Sequence, residues 1–297
     1  MLRVTSNMMN SQLLLNLNRN ARTMNDTQLQ LATGRKLNKP SDDPVGITYS
    51  LRYRAELSSN EQYQKNVDAA TSWLDYNDTV LTQADTVVQR LRELTVQGSN
   101  GTNPQAGLDS INAEVKQLKA QFVDIANSQL NGKYIFNGQQ YDIKPYDVNT
   151  PESSDTDTGV INYTVGESIQ LPISISGNEV FGKVTDDDNI FTIFNSISQA
   201  LASGDTAAVG NQLAKIDSRM DKILSAGADN GAKTNRIELM QSRLNDLEVN
   251  LTDLQSKTED GDYAELLMQS KIQENIYNAS LSVGSKIIQS SLVDFIR

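Results

Sequence analysis

Apolar residues recur at alternating spacings of three and four along most of this chain, the spacing of long helices packed side by side along a seam. The first helix carries Leu14, Leu17, Ala21, Met24 and, further on, Leu31. A second carries Ala70, Trp73, Asn77, Val80, Ala84, Val87, Leu91 and Leu94, and a third Ile111, Val115, Leu118, Phe122 and Ile125. A fourth runs Val209, Leu213, Ile216, Met220, Ile223, and a fifth Ile237, Met240, Leu244, Leu247, Leu251, Leu254. The last helix carries Tyr277, Leu281, Ile288, Leu292 and Phe295.

The breaks are equally legible. Gly34 stops the first helix, and KPSDDP restarts the chain with Asp43 as N-cap and Pro44 in the first turn. GSNGTNP (98–104) separates the second and third helices, with Pro104 in the first turn of the third. GADNGAK (227–233) is expected to separate the fourth and fifth, and EDGD (259–262) the fifth and last. A helix over residues 61–97 would be about 55 Å long. From Gly132 to about Val184 the period changes to two. Ile161, Tyr163, Val165 and then Ile169, Leu171, Ile173, Ile175 alternate with polar residues, predicting two strands joined at VGES.

This is a mainly α chain with a small β lobe: an elongated helical bundle of N- and C-terminal helices with an inserted β domain. Residues 1–41 and 262–297 read as terminal helices, 42–133 and 184–261 as a helical bundle, and 134–183 as a β-rich outer domain. The four bundle helices have partners within the chain for their stripes. The terminal helices lie outside the bundle, each with one narrow stripe, and two such helices bury too little to order themselves well. They are expected to order on meeting neighbouring copies, with Leu14, Leu17, Ala21, Met24, Leu31, Tyr277, Leu281, Ile288, Leu292 and Phe295 packing between subunits.

Composition narrows the function. The chain has 297 residues and a net charge of -11, unevenly spread. Residues 1–40 hold six basic residues against Asp26 alone, whereas residues 134–190 hold ten acids against Lys144 and Lys183. The basic residues are scattered and not interleaved with aromatics, so no nucleic-acid partner is expected. The acidic middle suits a solvated outer surface that repels its own copies. Neither Cys nor His occurs. This excludes disulfides, zinc sites of the usual kind, Cys nucleophiles and His bases. No apolar run approaches the ~18 residues that span a bilayer, Asn and Gln interrupt every apolar stretch that could form a secretory leader over residues 1–20, and the terminal stripes lack the Trp and Lys/Arg anchors of a membrane-surface helix.

Several patterns touch on chemistry without carrying it. Gly177, Gly182 and Lys183 have the spacing of a phosphate-binding loop, but Val184 stands where the magnesium-ligating hydroxyl belongs, so a β-turn is expected. Asp155, Asp157 and Gly159 resemble a calcium loop, but Gly166 occupies the closing glutamate position. Asp186, Asp187 and Asp188 precede the apolar run Ile190, Phe191, Ile193, Phe194, Ile197 and are expected to favour a helix N-terminus. Ser285 and Lys286 are adjacent, not a helical turn apart. No catalytic, cofactor or metal site is assigned, and the chain does not read as an enzyme.

LATGRKLNKPSDDPVGITYSLRYRAEL (31–57) resembles the N-terminal signature of the flagellins and hook-associated proteins of the bacterial flagellum, in which a helix stops at T-G-x-R/K and restarts after D-D-P-A/V-G. IQENIYNASLSVGSKIIQSSLVDFIR, from Ile272, is similar to the other half of that signature. Within the family, the opening MLRVTSNMMN, the segment NGKYIFNGQQ (131–140) followed by Lys144, Pro145 and Tyr146, and the ending SLVDFIR resemble the hook–filament junction members more than flagellin, the alternative. The resemblance implies a domain joint at Gly34, Pro40, Asp42, Asp43, Pro44 and Gly46. It implies type III export without a cleaved signal, an export chaperone, and an extracellular place between the hook-associated protein FlgK and flagellin. There copies would self-associate, with paired terminal helices lining an inner tube and the acidic lobe outward.

Overall fold

The computed structural model describes the backbone of residues 6–295 and the side chains of residues 8–286. Helix α1 spans Ser6–Thr33 and ends where Gly34 turns left-handed at φ 70°. Helix α2 runs without interruption from Pro44 to Gly98; the Asp43 carboxylate accepts the Val45 amide at 3.0 Å, as expected of its cap. Helix α3 (Gln105–Ala126) follows, with Pro104 one position earlier than expected. It is the N-cap residue, its extended backbone turning its carbonyl to the Gly107 and Leu108 amides.

The middle contains two hairpins. Strands β1 (Gln129–Leu130) and β2 (Lys133–Tyr134) flank Asn131 and Gly132, both at positive φ, the backbone that a tight two-residue turn demands. Strands β3 (Asn162–Gly166) and β4 (Ile169–Pro172) are antiparallel with Tyr163 opposite Leu171, as the period-two alternation predicted. The segment from Gly177 forms a one-turn helix, α4 (Gly177–Phe181), where a β-turn was expected. Ser176 caps it through the Asn178 amide, and Phe181 and Val180 are drawn into the core. Helices α5 (Ile190–Ser203) and α6 (Thr206–Gly210) lead to α7 (Leu213–Glu259) and α8 (Tyr263–Phe295).

Packing divides the chain into two compact units, residues 60–245 and residues 1–59 with 246–297. In the first, the hairpin region shares its core with the helices. Phe181 meets Phe122 of α3 edge to face at 5.3 Å and Phe136 at 4.9 Å, and Tyr146 lies 5.0 Å from Phe191 of α5. Such contacts stabilise beyond the area they bury.

The expected break at 227–233 is absent: α7 continues through it. The physical reason is the heptad. Ile216, Ile223, Asn230, Ile237 and Leu244 are buried every seventh residue, as are Asn60, Val67, Leu74, Leu81, Val88 and Thr95 on α2. Two asparagines bind the helices to each other reciprocally. Asn60 donates to the Leu244 carbonyl at 3.0 Å and Asn230 to the Leu74 carbonyl at 2.9 Å. The seam therefore passes straight through the glycines, and each glycine costs only about 1 kcal/mol relative to alanine. No atom lies within 4 Å of a Cβ built on Gly227 or Gly231. Gly227→Ala and Gly231→Ala should each stabilise by about 0.5–1 kcal/mol, read as a higher urea midpoint; a lower midpoint would show a required bend.

Asp186–Asp188 do not cap α5. That role falls to Asn189, whose side chain accepts the Phe191 and Thr192 amides at 3.0 and 3.2 Å. Asp188 instead neutralises Arg219, a fully buried arginine of α7. The Arg219 guanidinium also donates to the backbone carbonyls of Asp188 (2.8 Å) and Glu179 (3.2 Å), tying α4 and the segment after it to α7. Burial acts to raise the Asp188 pKa, but Lys222, Ser218 and Arg219 hold it below the ordinary value. A buried charge needs such partners, and this accounts for the acidic run better than a helix dipole does.

Candidate assembly face and its joint

The second unit is built on α1 paired with α8 and on the ends of α2 and α7. Along α1, the residues turned toward α8 are Leu13, Leu17, Asn20, Met24, Thr27 and Leu31; on α8 they are Leu266, Ser270, Gln273, Tyr277, Ser280 and Gly284. Both rows step by three and four. Asn20 donates to Ser280 at 3.0 Å, and a Cβ on Gly284 would sit 3.0 Å from the Leu13 side chain. Half of these positions are polar or glycine, so the seam is thin.

The structure divides the predicted packing residues. Leu17, Ala21, Met24, Leu31 and Tyr277 are half-buried along or beside the α1–α8 seam. Leu14 and Leu281 point away from it, 58% and 45% exposed. Ile288, Leu292 and Phe295 have side chains outside the described residues. Leu14 is one position off the seam that Leu13 occupies, a shift that spacing alone could not separate because Leu13, Leu14 and Leu15 are consecutive. Beside Leu14 and Leu281 stands an outward apolar set: Met8 and Leu15 on α1, and Leu267, Met268, Ile272 and Ile276 on α8. All eight of these side chains are between 40% and 64% exposed.

The joint closes around one carboxylate that the sequence did not reveal. Glu259, the last residue of α7, is 1% exposed. It accepts hydrogen bonds from Arg54 Nε at 2.7 Å and Nη2 at 2.6 Å, from Ser50 Oγ at 2.5 Å and from Gln255 at 3.2 Å, and pairs with Arg35 at 3.4 Å. The Arg54 hydrogen bonds, opposed by burial, lower its pKa to about 2. Its backbone carbonyl takes the Lys36 amide at 2.7 Å, and Gly34 takes the Gly261 amide at 3.0 Å. Ser50 and Arg54 lie inside the recognised N-terminal segment, one and two turns past Gly46. Ser50, a hydroxyl on the covered side of α2, was the local signal that a polar partner must exist.

Of the six predicted joint residues, Gly34, Pro40, Asp42 and Asp43 lie in this turn, and Pro44 and Gly46 in the first turn of α2. Asp42 donates its amide to Lys39, making a turn with Pro40 at its second position, where the fixed φ of proline suits. The Asp42 carboxylate accepts the Asn38 and Lys39 amides at 3.0 and 2.8 Å, which lowers its pKa. Asp43 and Pro44 start α2, and Gly46 is buried against Leu37 and Asp43. No ligand chemistry collects here. Among the described residues no group of acidic side chains could hold a metal ion, and no helix is long and apolar enough to cross a membrane. In the lobe, Asp157 accepts the Gln139 and Gly159 amides and Asp155 the Val184 amide, so both close loops.

Comparison with known proteins gives the same picture. Residues 4–141 match the bacterial flagellin N-terminal helical region. The flagellar hook-associated protein 3 of Escherichia coli is 25% identical over 275 residues, 84% of this chain and 86% of that protein. A flagellin of Bacillus subtilis is 28% identical over 246 residues, 79% of each chain. Among solved structures, FlgL of Bacillus cereus superposes with a TM-score of 0.60 at 22% identity, covering 69% of this chain and 99% of that one. The flagellar junction protein FlgL of Legionella pneumophila gives 0.57 at 18%, covering 73% and 100%. With a flagellin helical region matched over its first half, and relatives and a fold shared along most of its length, this chain is similar to the flagellins and flagellar hook-associated proteins.

Proposed function

We propose that this chain is a structural subunit of the bacterial flagellum that forms the junction between hook and filament, the role of hook-associated protein 3. Its activity is packing, and it performs no reaction. The observation that carries this reading is the outward apolar set on α1 and α8, Leu14 and Leu281 included, beside a seam already occupied within the chain. A helix pair held by so thin a seam is incomplete until neighbours cover its outer face. Each leucine or isoleucine covered contributes about 1.5–3 kcal/mol, so a few such side chains outweigh the cost of ordering.

The partners are copies of the same chain, FlgK on the hook side and flagellin on the filament side, after export with a chaperone to the cell exterior. Residues 1–41 and 262–297 would order on assembly, 42–133 and 184–261 form the bundle layer, and 134–183 face outward. The segment NGKYIFNGQQ with Lys144–Tyr146 supports the junction role over flagellin. Its Ile135, Phe136 and Tyr146 are core residues, so this stretch helps define the lobe. Flagellin remains the second reading because a flagellin relative covers 79% of the chain, between the 84% and 72% covered by two hook-associated relatives.

Immunogold labelling of intact flagella tests both. A short band at the distal edge of the hook is expected. Label along the whole filament would replace the junction role with that of flagellin, and unlabelled flagella would end the structural reading.

A further inference from the structure

The chain has no cysteine and a single tryptophan, Trp73, which is buried. Its most oxidisable accessible atoms are therefore methionine sulfurs. Of the six methionines among the residues whose side chains are described, Met24, Met220 and Met240 are partly covered, and Met8, Met9 and Met268 stand in the open. All three exposed ones lie in the α1–α8 unit. Met268 is 58% exposed and begins an outward row with Ile272 and Ile276, one helical turn apart each. Met8 is 61% exposed and shares its side of α1 with Leu15, two turns on.

We propose that Met8, Met9 and Met268 are oxidation sites through which peroxide controls the ability of the subunit to assemble. The inference rests on the assembly reading above. A sulfur lone pair attacks one oxygen of hydrogen peroxide, and the O–O bond breaks. The thioether is oxidised by two electrons to the sulfoxide, while the other peroxide oxygen leaves as hydroxide and takes up a proton to become water. The product is polar and accepts hydrogen bonds, where the parent side chain was apolar and adaptable. Placed in the outward rows, it must be desolvated when a neighbour docks, which disfavours the contact. Met24, Met220 and Met240 are partly shielded by packing, so oxidation strikes the exposed Met8, Met9 and Met268 first. Sulfoxide is also the rung from which a reductase restores methionine, so the block is reversible.

The experiment treats the purified full-length chain with hydrogen peroxide and maps sulfoxide by peptide mass spectrometry over time. Met8, Met9 and Met268 are expected to oxidise at least about five-fold faster than Met24, Met220 and Met240. Self-association, followed by light scattering and sedimentation, should fall about ten-fold or more after treatment and return with methionine sulfoxide reductase. The triple variant Met8→Leu, Met9→Leu, Met268→Leu, which preserves apolar volume, should assemble before and after peroxide alike. Uniform oxidation of all methionines, or an oxidised chain that assembles as the untreated one does, overturns the proposal while leaving the assembly reading standing. An untreated chain that never self-associates overturns the reading beneath it, and with it the proposal, whatever the order of oxidation.

Discussion

Leu14→Asp combined with Leu281→Asp will remove the chain from the flagellum while both of its compact units stay folded. Each leucine already faces water in the isolated chain, and neither lies on the α1–α8 seam. An aspartate there remains hydrated before assembly, so the cost to folding stays within about 0.5 kcal/mol, the usual range for exposed substitutions. Assembly changes the account. Docking a neighbour against these rows would strip water from two unpaired carboxylates, each costing several kcal/mol. Incorporation should fall by about 100-fold or more, since every 1.4 kcal/mol is a factor of ten. Co-sedimentation of labelled subunit with flagella reads the loss, and circular dichroism with urea titration checks the fold. Junctions and motility that remain normal would show that the outward rows are not assembly surfaces. Leu17→Asp serves as contrast: it lies on the internal seam and should lower the stability of the α1–α8 unit itself.

Arg54→Ala should loosen the joint. Arg54 supplies two of the hydrogen bonds that hold the buried Glu259 carboxylate, and removing them leaves a buried charge with Ser50, Gln255 and the more distant Arg35. Hydrogen bonds to charged groups contribute about 1.5–3 kcal/mol each, and Arg54 is partly exposed, so a loss of about 2–3 kcal/mol is expected. The pH dependence follows from the direction of the shift. The folded pKa of Glu259 is about 2, below its ordinary 4.5, so the folded state binds fewer protons than the unfolded one between those values. The stabilisation is complete above about pH 4.5 and is lost as pH falls toward 2, amounting to about 3 kcal/mol. Urea titrations of the wild type at pH 6 and pH 3 should show about 2 kcal/mol of that loss, pH 3 being still above the folded pKa. The same pair of titrations on Arg54→Ala should show a much smaller one. An equal acid loss in the variant would mean that the joint does not depend on this pair.

Much of the fold could be read because the heptad is a local signal. The seams of α2, α3 and α7, the stop at Gly34, the restart at Asp43–Pro44 and the β3–β4 hairpin follow from spacing and turn chemistry over a few residues. Where the reading departed from the structure, a distant partner decided. Gly227 and Gly231 looked like a break until α2 supplied a continuous groove, with Leu74 accepting from Asn230. Asp188 looked like a helix cap until Arg219, 31 residues on, claimed it. Among Leu13, Leu14 and Leu15, the inward one is chosen by α8, where Gly284 makes room for Leu13. Glu259 was invisible because its ligands, Ser50 and Arg54, lie more than 200 residues away.

Gly46 carries a consequence for how the joint can vary. A single methyl group at that position would come within 2.6 Å of the Asp43 carboxylate and 2.9 Å of the Leu37 side chain. Asp43 is the residue that caps α2, and Leu37 is the buried residue next to the backbone held by Glu259. Any side chain there would push on the cap and on the closing strand of the turn at once. The cap of α2 and the packing of Leu37 therefore meet at one position that leaves no room for a side chain unless both give way.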